Sequence, residues 1–212
     1  IDLVTEKEKE LYKITATAQD LIQHVDPSKT RNEYIHYIEK PRPKVDNVYY
    51  NFKDLVDAMN ADKNGTFKIG ADLNATNVPT PKKWYVDGDF KGTLKSVEGK
   101  HYTIHNTERP LFKNIIGGTV TKVNIGNVNI NMPWADRIAP IADTIKGGAK
   151  IEDVKVTGNV LGRNWVSGFI DKIDNQGTLR NVAFIGNVTA VGDGGQYLTG
   201  IVGENWKGLV EK

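Results

Sequence analysis

Three phrases in the second half of the chain share one order of apolar and polar positions: VTKVNIGNV at 120–128, IEDVKVTGNV at 151–160 and LRNVAFIGNV at 179–188. Aligned on their first apolar residue they open at Val120, Ile151 and Leu179, 31 and then 28 residues apart. The next columns hold Val123, Val154 and Val182, then Ile125, Val156 and Phe184, then Val128, Val160 and Val188. A second apolar cluster precedes each phrase, at Leu111-Phe112, Pro140-Ile141 and Phe169-Ile170, and Ile201-Val202 opens a fourth unit. A period of about 30 residues with short strands and no helix predicts a solenoid, because one rung cannot bury its apolar residues alone. Stacked at about 4.8 Å, equivalent residues form continuous internal columns, so each column must be filled by similar shapes in every turn. On this alignment Asn127, Asn159 and Asn187 stack as an amide ladder. Gly126, Gly158 and Gly186 would supply the turn conformation that a side chain forbids.

Upstream the pattern differs. Phe52, Leu55, Val56 and Met59 fall at i, i+3, i+4 and i+7 behind Asn51, which predicts an amphipathic helix over 51–61, capped by Asn51 and ended before Asn64-Gly65. From Thr66 onward, Phe67, Ile69, Leu73, Phe90, Leu94, Tyr102, Ile104, Leu111 and Phe112 form short apolar clusters broken by Gly, Asn and Asp, which fits short strands in a chain that keeps turning. The helix then has a place, covering the open core and unpaired backbone at the end of the stack. Residues 1–40 hold two alternating stretches, 11–16 and 34–38, separated by Asp26-Pro27-Ser28, and read as paired strands at the tail of a small upstream β domain. Pro41-Arg42-Pro43-Lys44 suits neither helix nor central strand, so 41–46 reads as a stiff linker and 47–212 as the capping helix with its β-helix repeats. The fold class is therefore all-β. The chain begins at Ile1 and stops at Lys212 inside another repeat, and we expect it to be a stretch of a longer protein.

Composition narrows the partners. The 28 basic and 26 acidic residues give a net charge of +2 and are interspersed, whereas nucleic acid requires a basic stripe. No run of 18 apolar residues is present, so membrane insertion is not expected of this stretch. Zero cysteines exclude a disulfide framework, Cys-ligated zinc and a thiol nucleophile, and favour an exported protein over a cytosolic one.

The stretch from Tyr50 through Phe52, Leu55, Met59 and Ala61, then GTFKIGADLNAT at 65–76, FKGTL at 90–94 and PLF at 110–112, resembles the N-terminal region of the streptococcal immunoglobulin A proteases and the related surface zinc metalloproteases. Gly200-Ile201-Val202-Gly203 is similar to a short motif that recurs in such repeats. The resemblance spans about residues 45–212 and implies a right-handed parallel β-helix. It also implies a parent that is a zinc metalloendopeptidase, secreted or attached to the cell wall, and that cleaves immunoglobulin A. This stretch would then be a non-catalytic substrate-recognition or spacer segment working with a downstream catalytic domain that holds the zinc. The alternative is a β-helix adhesin or a carbohydrate-acting domain with chemistry of its own.

The family's chemistry needs His-Glu-x-x-His on a helix, with two imidazoles on the metal and the Glu activating water. The histidines are His24, His36, His101 and His105. His101 and His105 have the i, i+4 spacing, but no Glu stands between them and Tyr102 and Ile104 alternate like a strand. On a strand the two rings stand about 13 Å apart, too far for one ion. No catalytic, cofactor or metal residue is therefore assigned. Gly192-Asp193-Gly194-Gly195 lacks the spacing of a phosphate loop and reads as a turn. Carboxylates such as Asp171 and Asp174 could serve a carbohydrate-acting domain, but that chemistry needs defined geometry across a groove, and acidic residues in turns read first as solvated ones.

The candidate binding site is aromatic. After the Val that ends each phrase come Trp134, Trp165 and Tyr197, with Arg137 and Arg163 beside them. If the three turns stack, these side chains form one protein-binding ridge of the residue types that dominate hot spots; the alternative is that the rings fold back and cover the side of the solenoid.

Overall fold

A computed structural model describes residues 2–6, 9–17, 33–39, 47–80, 82–194 and 196–212. The chain forms two compact units, Ile1–Pro43 and Lys44–Lys212. In the first, Asp2–Glu6, Lys9–Thr17 and Glu33–Glu39 make a three-stranded antiparallel sheet in chain order, with Tyr12 opposite Ile38 and Ile14 opposite His36. The expected turn at Asp26-Pro27-Ser28 and the expected linker at 41–46 lie outside the described residues.

The second unit is a parallel β-solenoid. One sheet is a five-stranded ladder of Val86–Phe90, Phe112–Ile116, Ala142–Lys146, Ile170–Asp174 and Val202–Trp206. The other carries two ladders side by side. The first runs through Val48–Tyr49, Thr66–Ile69, Thr93–Ser96 and Thr119–Thr121 into the leading ends of Lys150–Gly162 and Thr178–Ala190, and ends at Leu209–Glu211. The second runs through Leu73–Asn74, Tyr102–His105 and Val123–Asn131 into the trailing parts of the same two long strands. Like sits on like, as the repeat requires: Phe67, Leu94, Val120, Ile151 and Leu179 form one buried column, and Ile104, Ile125 and Val156 belong to another. At the early end of the stack, Phe67, Phe90 and Phe112 place their rings 4.7 to 6.1 Å apart.

Between the two ladders the later coils turn a corner at a single residue. Lys122, Asp153 and Asn181 adopt left-handed backbone with φ of 54°, 54° and 48°. Such a conformation costs a non-glycine residue about 1 kcal/mol. The Asn181 amide donates to Asp153 Oδ1 at 2.6 Å, so one corner ties to the next.

The helix forms over Phe52–Ala61, where the sequence pattern places it. Asn51 Oδ1 accepts from the Asp54 amide at 3.2 Å, and Phe52, Leu55, Val56 and Met59 are buried. It packs on Val48–Tyr49 and Val86–Phe90, the edge strands of the two sheets, with Phe52 edge-on to Tyr85 at 4.9 Å. Asn60 donates to the Tyr85 carbonyl and accepts from the Asp87 amide, which satisfies edge backbone groups that would otherwise lack partners. Burial thins in the last coil, where Val182, Phe184 and Val188 are only partly covered and Leu209 and Val210 are exposed.

Two details of the repeat differ from the sequence alignment. In Val123–Asn131 the register shifts between Ile125 and Val128, so Val128, Asn129 and Ile130 face Gly158, Asn159 and Val160. Gly126 and Asn127 together oppose Thr157, which is a β-bulge, and Asn127 takes φ 52° with its amide turned to the Thr157 hydroxyl. The amide column therefore runs Asn129, Asn159, Asn187, not through Asn127, and Asn187 donates to Asn159 at 2.9 Å. The Gly-Asn-Val phrases are also not turns, since Lys150–Gly162 and Thr178–Ala190 run straight through them. Gly158 and Gly186 are required by close approach instead: a β-carbon on Gly186 would fall on the Gly158 carbonyl, and one on Gly158 on the Val128 backbone.

Candidate functional site

Counting forward from each Gly-Asn-Val phrase aligned Trp134 with Trp165 and Tyr197. The solenoid aligns residues by counting back from the strand that follows. Ala142, Ile170 and Val202 share one register, and Arg137, Trp165 and Tyr197 each stand five residues before them. Trp165–Ser167 pairs in parallel with Tyr197–Thr199, and Ile138 bridges to Val166, which sets Arg137 against Trp165. The two rings stack at 3.9 Å with 22° between their planes, and the Arg137 guanidinium lies 4.6 Å from the Trp165 ring centre. The column is thus Arg137, Trp165, Tyr197. Trp134 lies off it in the preceding turn and is 63% exposed. Trp165 is half-buried between its two neighbours, while Tyr197 remains 54% exposed.

Ion pairs fasten the base of the column. Arg137 donates through Nη1 to Asp171 Oδ2 at 3.0 Å and through Nη2 to Glu204 Oε1 at 2.9 Å, reaching acidic groups on the next two coils. Arg163 pairs with Asp136 through both Nη2 and Nε. Lys83 is a residue that sequence reasoning missed. Its ammonium donates to the Asp136 and Arg137 carbonyls at 3.0 and 2.6 Å and to Asp143 Oδ2 at 2.9 Å, clasping the turn that carries Arg137. Nothing in the sequence marked it, because the contact joins residues more than 50 positions apart and outside the repeat.

One guanidinium acts differently on its two carboxylates. Glu204 is held below the usual carboxylate range by the hydrogen bond from Arg137, whereas Asp171 is pushed above it because burial outweighs the same cation. Burial likewise raises Asp143 despite Lys83. Asp171 Oδ1, Asp143 Oδ1 and the Trp84 indole nitrogen are all buried without a full hydrogen bond. The nearby Trp84 indole, with Lys83, opposes that rise by favouring ionised Asp143.

These pairings give Arg137→Ala a pH-dependent cost. Asp171 loses its cation, and its folded pKa, already above the unfolded value, rises further. A raised carboxylate destabilises above its unfolded pKa, and fully above its folded one. The variant should lose about 2 kcal/mol at pH 7, discounted from a fully buried pair because Arg137 is partly exposed. The deficit relative to the parent should shrink toward pH 4, and denaturant titrations at the two pH values check it. An equal deficit at both would exclude Asp171 as the origin.

The weaker motifs of the sequence assemble no site among the described residues. Asp171 and Asp174 do not converge, since Asp171 is bound to Arg137 and Asp174 to Lys172. His105 ends the strand Tyr102–His105 and His101 directly precedes it. His36 lies in the antiparallel sheet and His24 outside the described residues. Residues 193–194 form a bend, and Gly195 is not described. Among the described residues no three His, Cys, Asp or Glu side chains gather where a metal would be held, and no helix is long and apolar enough to cross a membrane.

Residues 1–158 match the family described as the M26 IgA1-specific metallo-endopeptidase N-terminal region. The chain is 40% identical over 202 residues to the zinc metalloprotease ZmpB of Streptococcus pneumoniae serotype 4, covering 95% of this chain and 11% of that protein. It is 35% identical over 184 residues to an immunoglobulin A1 protease of Streptococcus pneumoniae, covering 85% of this chain and 9% of the relative. The chain thus spans about a tenth of the length of these relatives. A solved IgA1 protease structure superimposes with a TM-score of 0.71 at 26% identity, covering 99% of this chain and 17% of that one.

Proposed function

The chain belongs to the family of M26 IgA1-specific metallo-endopeptidase N-terminal regions, and from that premise we propose that it is a non-catalytic substrate-recognition or spacer segment of a zinc metalloendopeptidase. The parent is secreted or attached to the bacterial cell wall, cleaves immunoglobulin A, and carries its zinc in a catalytic domain outside this stretch. The observation that carries the recognition reading is the Arg137–Trp165–Tyr197 column, braced by ion pairs and presenting aromatic surface along a rigid side. Binding a rigid group loses less conformational entropy than ordering a loop, and Trp, Tyr and Arg are the usual anchors. The long side of a solenoid can also supply the roughly 800 Å² per partner of a standard interface.

Three alanine variants test this against human immunoglobulin A1. Trp134→Ala and Tyr197→Ala should weaken affinity by about 1.5 to 2 kcal/mol with little change in melting temperature, because their rings are largely exposed. Trp165→Ala should weaken affinity and also cost about 2 kcal/mol of stability, since its ring packs on both faces. Unaltered affinity in all three would retire the column as a recognition surface and leave the spacer role. Full-length protein should cleave immunoglobulin A1 and lose that activity to a chelator, whereas the isolated chain should not cleave it.

A further inference from the structure

The base of the aromatic column holds more negative than positive charge. Asp143 and Asp171 occupy one register position on consecutive coils, since Ala142 faces Ile170 and Thr144 faces Lys172. Two carboxylates thus stand one strand spacing apart, an arrangement that sheets disfavour for like charges. Glu204 meets the same guanidinium as Asp171, and among the described residues Lys83 and Arg137 are the two cations in contact with these three carboxylates. Lys113, on Phe112–Ile116, acts on Asp143 from farther off and pairs with Asp87. Lys172 acts likewise on Glu204 and pairs with Asp174. Three carboxylates against two cations leave a place for one proton.

Geometry decides where that proton goes. Glu204 has both oxygens engaged, Oε1 by Arg137 and Oε2 by the Trp206 indole N–H at 3.1 Å. Asp143 faces the Lys83 ammonium, which two backbone carbonyls hold in place. Asp171 is 2% exposed, and only its Oδ2 is bonded, while Oδ1 is buried without a hydrogen-bond partner. A β-carbon on Gly203 would lie 3.2 Å from Asp171 Oδ1 and 2.8 Å from Ser167 Oγ, so both oxygens border the space which that glycine leaves. The acid form of Asp171 therefore has a bare oxygen to carry the proton and a hydroxyl beside the same space to accept its hydrogen bond. Burial raises the Asp171 carboxyl against the pull of Arg137, and the charges of Asp143 and Glu204 add to the rise.

We propose that Asp171 is a proton switch beneath the aromatic column: on taking up one proton it loosens one of the two ion pairs that hold Arg137 against Trp165 and leaves the guanidinium on Glu204. The hydrogen bond to Asp171 loses its charge assistance and with it about half its strength. A carboxylate whose folded pKa is raised adds stability as pH falls through that value, so the switch turns in a folded chain. Its window lies above the ordinary carboxylate range, and Glu204, held below that range, stays ionised throughout it. For binding, the inference rests on the recognition reading: a partner would meet a clamped guanidinium at neutral pH and a freer one in mild acid.

The test follows the tryptophan indole N–H resonances of the whole chain from neutral pH down to about pH 4, the ordinary carboxylate range. Two carboxylates have their own reporters, because Trp165 lies against Arg137 and Trp206 donates to Glu204. The Trp165 resonance should shift in a single one-proton step above the ordinary carboxylate range, with the Asp171 carboxyl carbon titrating at the same midpoint. Trp206 should shift only at lower pH. Asp171→Asn, which fixes the neutral form, should abolish the Trp165 step, hold that resonance near its acid position and leave the Trp206 step in place. A Trp165 resonance that stays still, moves together with Trp206, or still titrates in Asp171→Asn would overturn the proposal. Should that variant not fold, the parent's Asp171 carboxyl carbon decides alone, and a midpoint at or below the ordinary range overturns it. No partner enters these measurements, so their outcome is separate from the immunoglobulin A1 affinities that test the recognition surface.

Discussion

Val154→Asp is expected to cost the solenoid about 4 kcal/mol at neutral pH, the larger of the effects foreseen for a single side chain. Val154 is 2% exposed and faces Val182 of the next coil from the inner side of Lys150–Gly162. A carboxylate there has no cation or donor in the column, so it is either ionised at a cost of several kcal/mol or protonated, with the loss of about 1.5 to 3 kcal/mol of apolar burial in either case. The neighbouring Lys155 points outward and is exposed. Lys155→Asp should therefore change stability by no more than about 0.5 kcal/mol, as surface substitutions do. Denaturant melts of the two variants read the inside-outside alternation directly. Unchanged melting of Val154→Asp would sink the assignment of this column to the core.

Gly158→Ala is expected to cost about 3 kcal/mol, for a reason that no side-chain contact supplies. Gly158 has φ 133°, a region that L side chains rarely adopt, and a β-carbon there would collide with the backbone of Val128 in the coil before it. Backbone strain of about 1 to 3 kcal/mol and overpacking of about 1 to 3 kcal/mol act together. Gly200 is the matched control, because a β-carbon there meets nothing within 4 Å. Gly200→Ala should fall within about 0.5 kcal/mol of the parent. If both alanine variants melt alike, the close approach of coils at the Gly-Asn-Val phrase does not constrain the fold.

Periodicity alone determined the solenoid, the capping helix and the identity of most core columns, because these depend on which residues are apolar and how far apart they recur. Asn51, Phe52, Leu55, Val56 and Met59 form the helix and its buried face as the pattern predicts, and Val120, Ile151 and Leu179 stack as aligned. The same reasoning reached the stacked pair Trp165 and Tyr197, but it set Trp134 where Arg137 stands. Tertiary structure decided that point because register is fixed by hydrogen bonding of the strands on either side, while the turns between them differ in length. A count carried forward across a turn accumulates that difference. The bulge at Gly126 and Asn127 displaced the first amide in the same way. Tertiary structure alone also decided the glycine roles, the one-residue corners at Lys122, Asp153 and Asn181, and the Lys83 clasp. Each is a contact or backbone angle set by a neighbouring coil or a distant loop, and a linear pattern records composition at a position without recording what is brought against it.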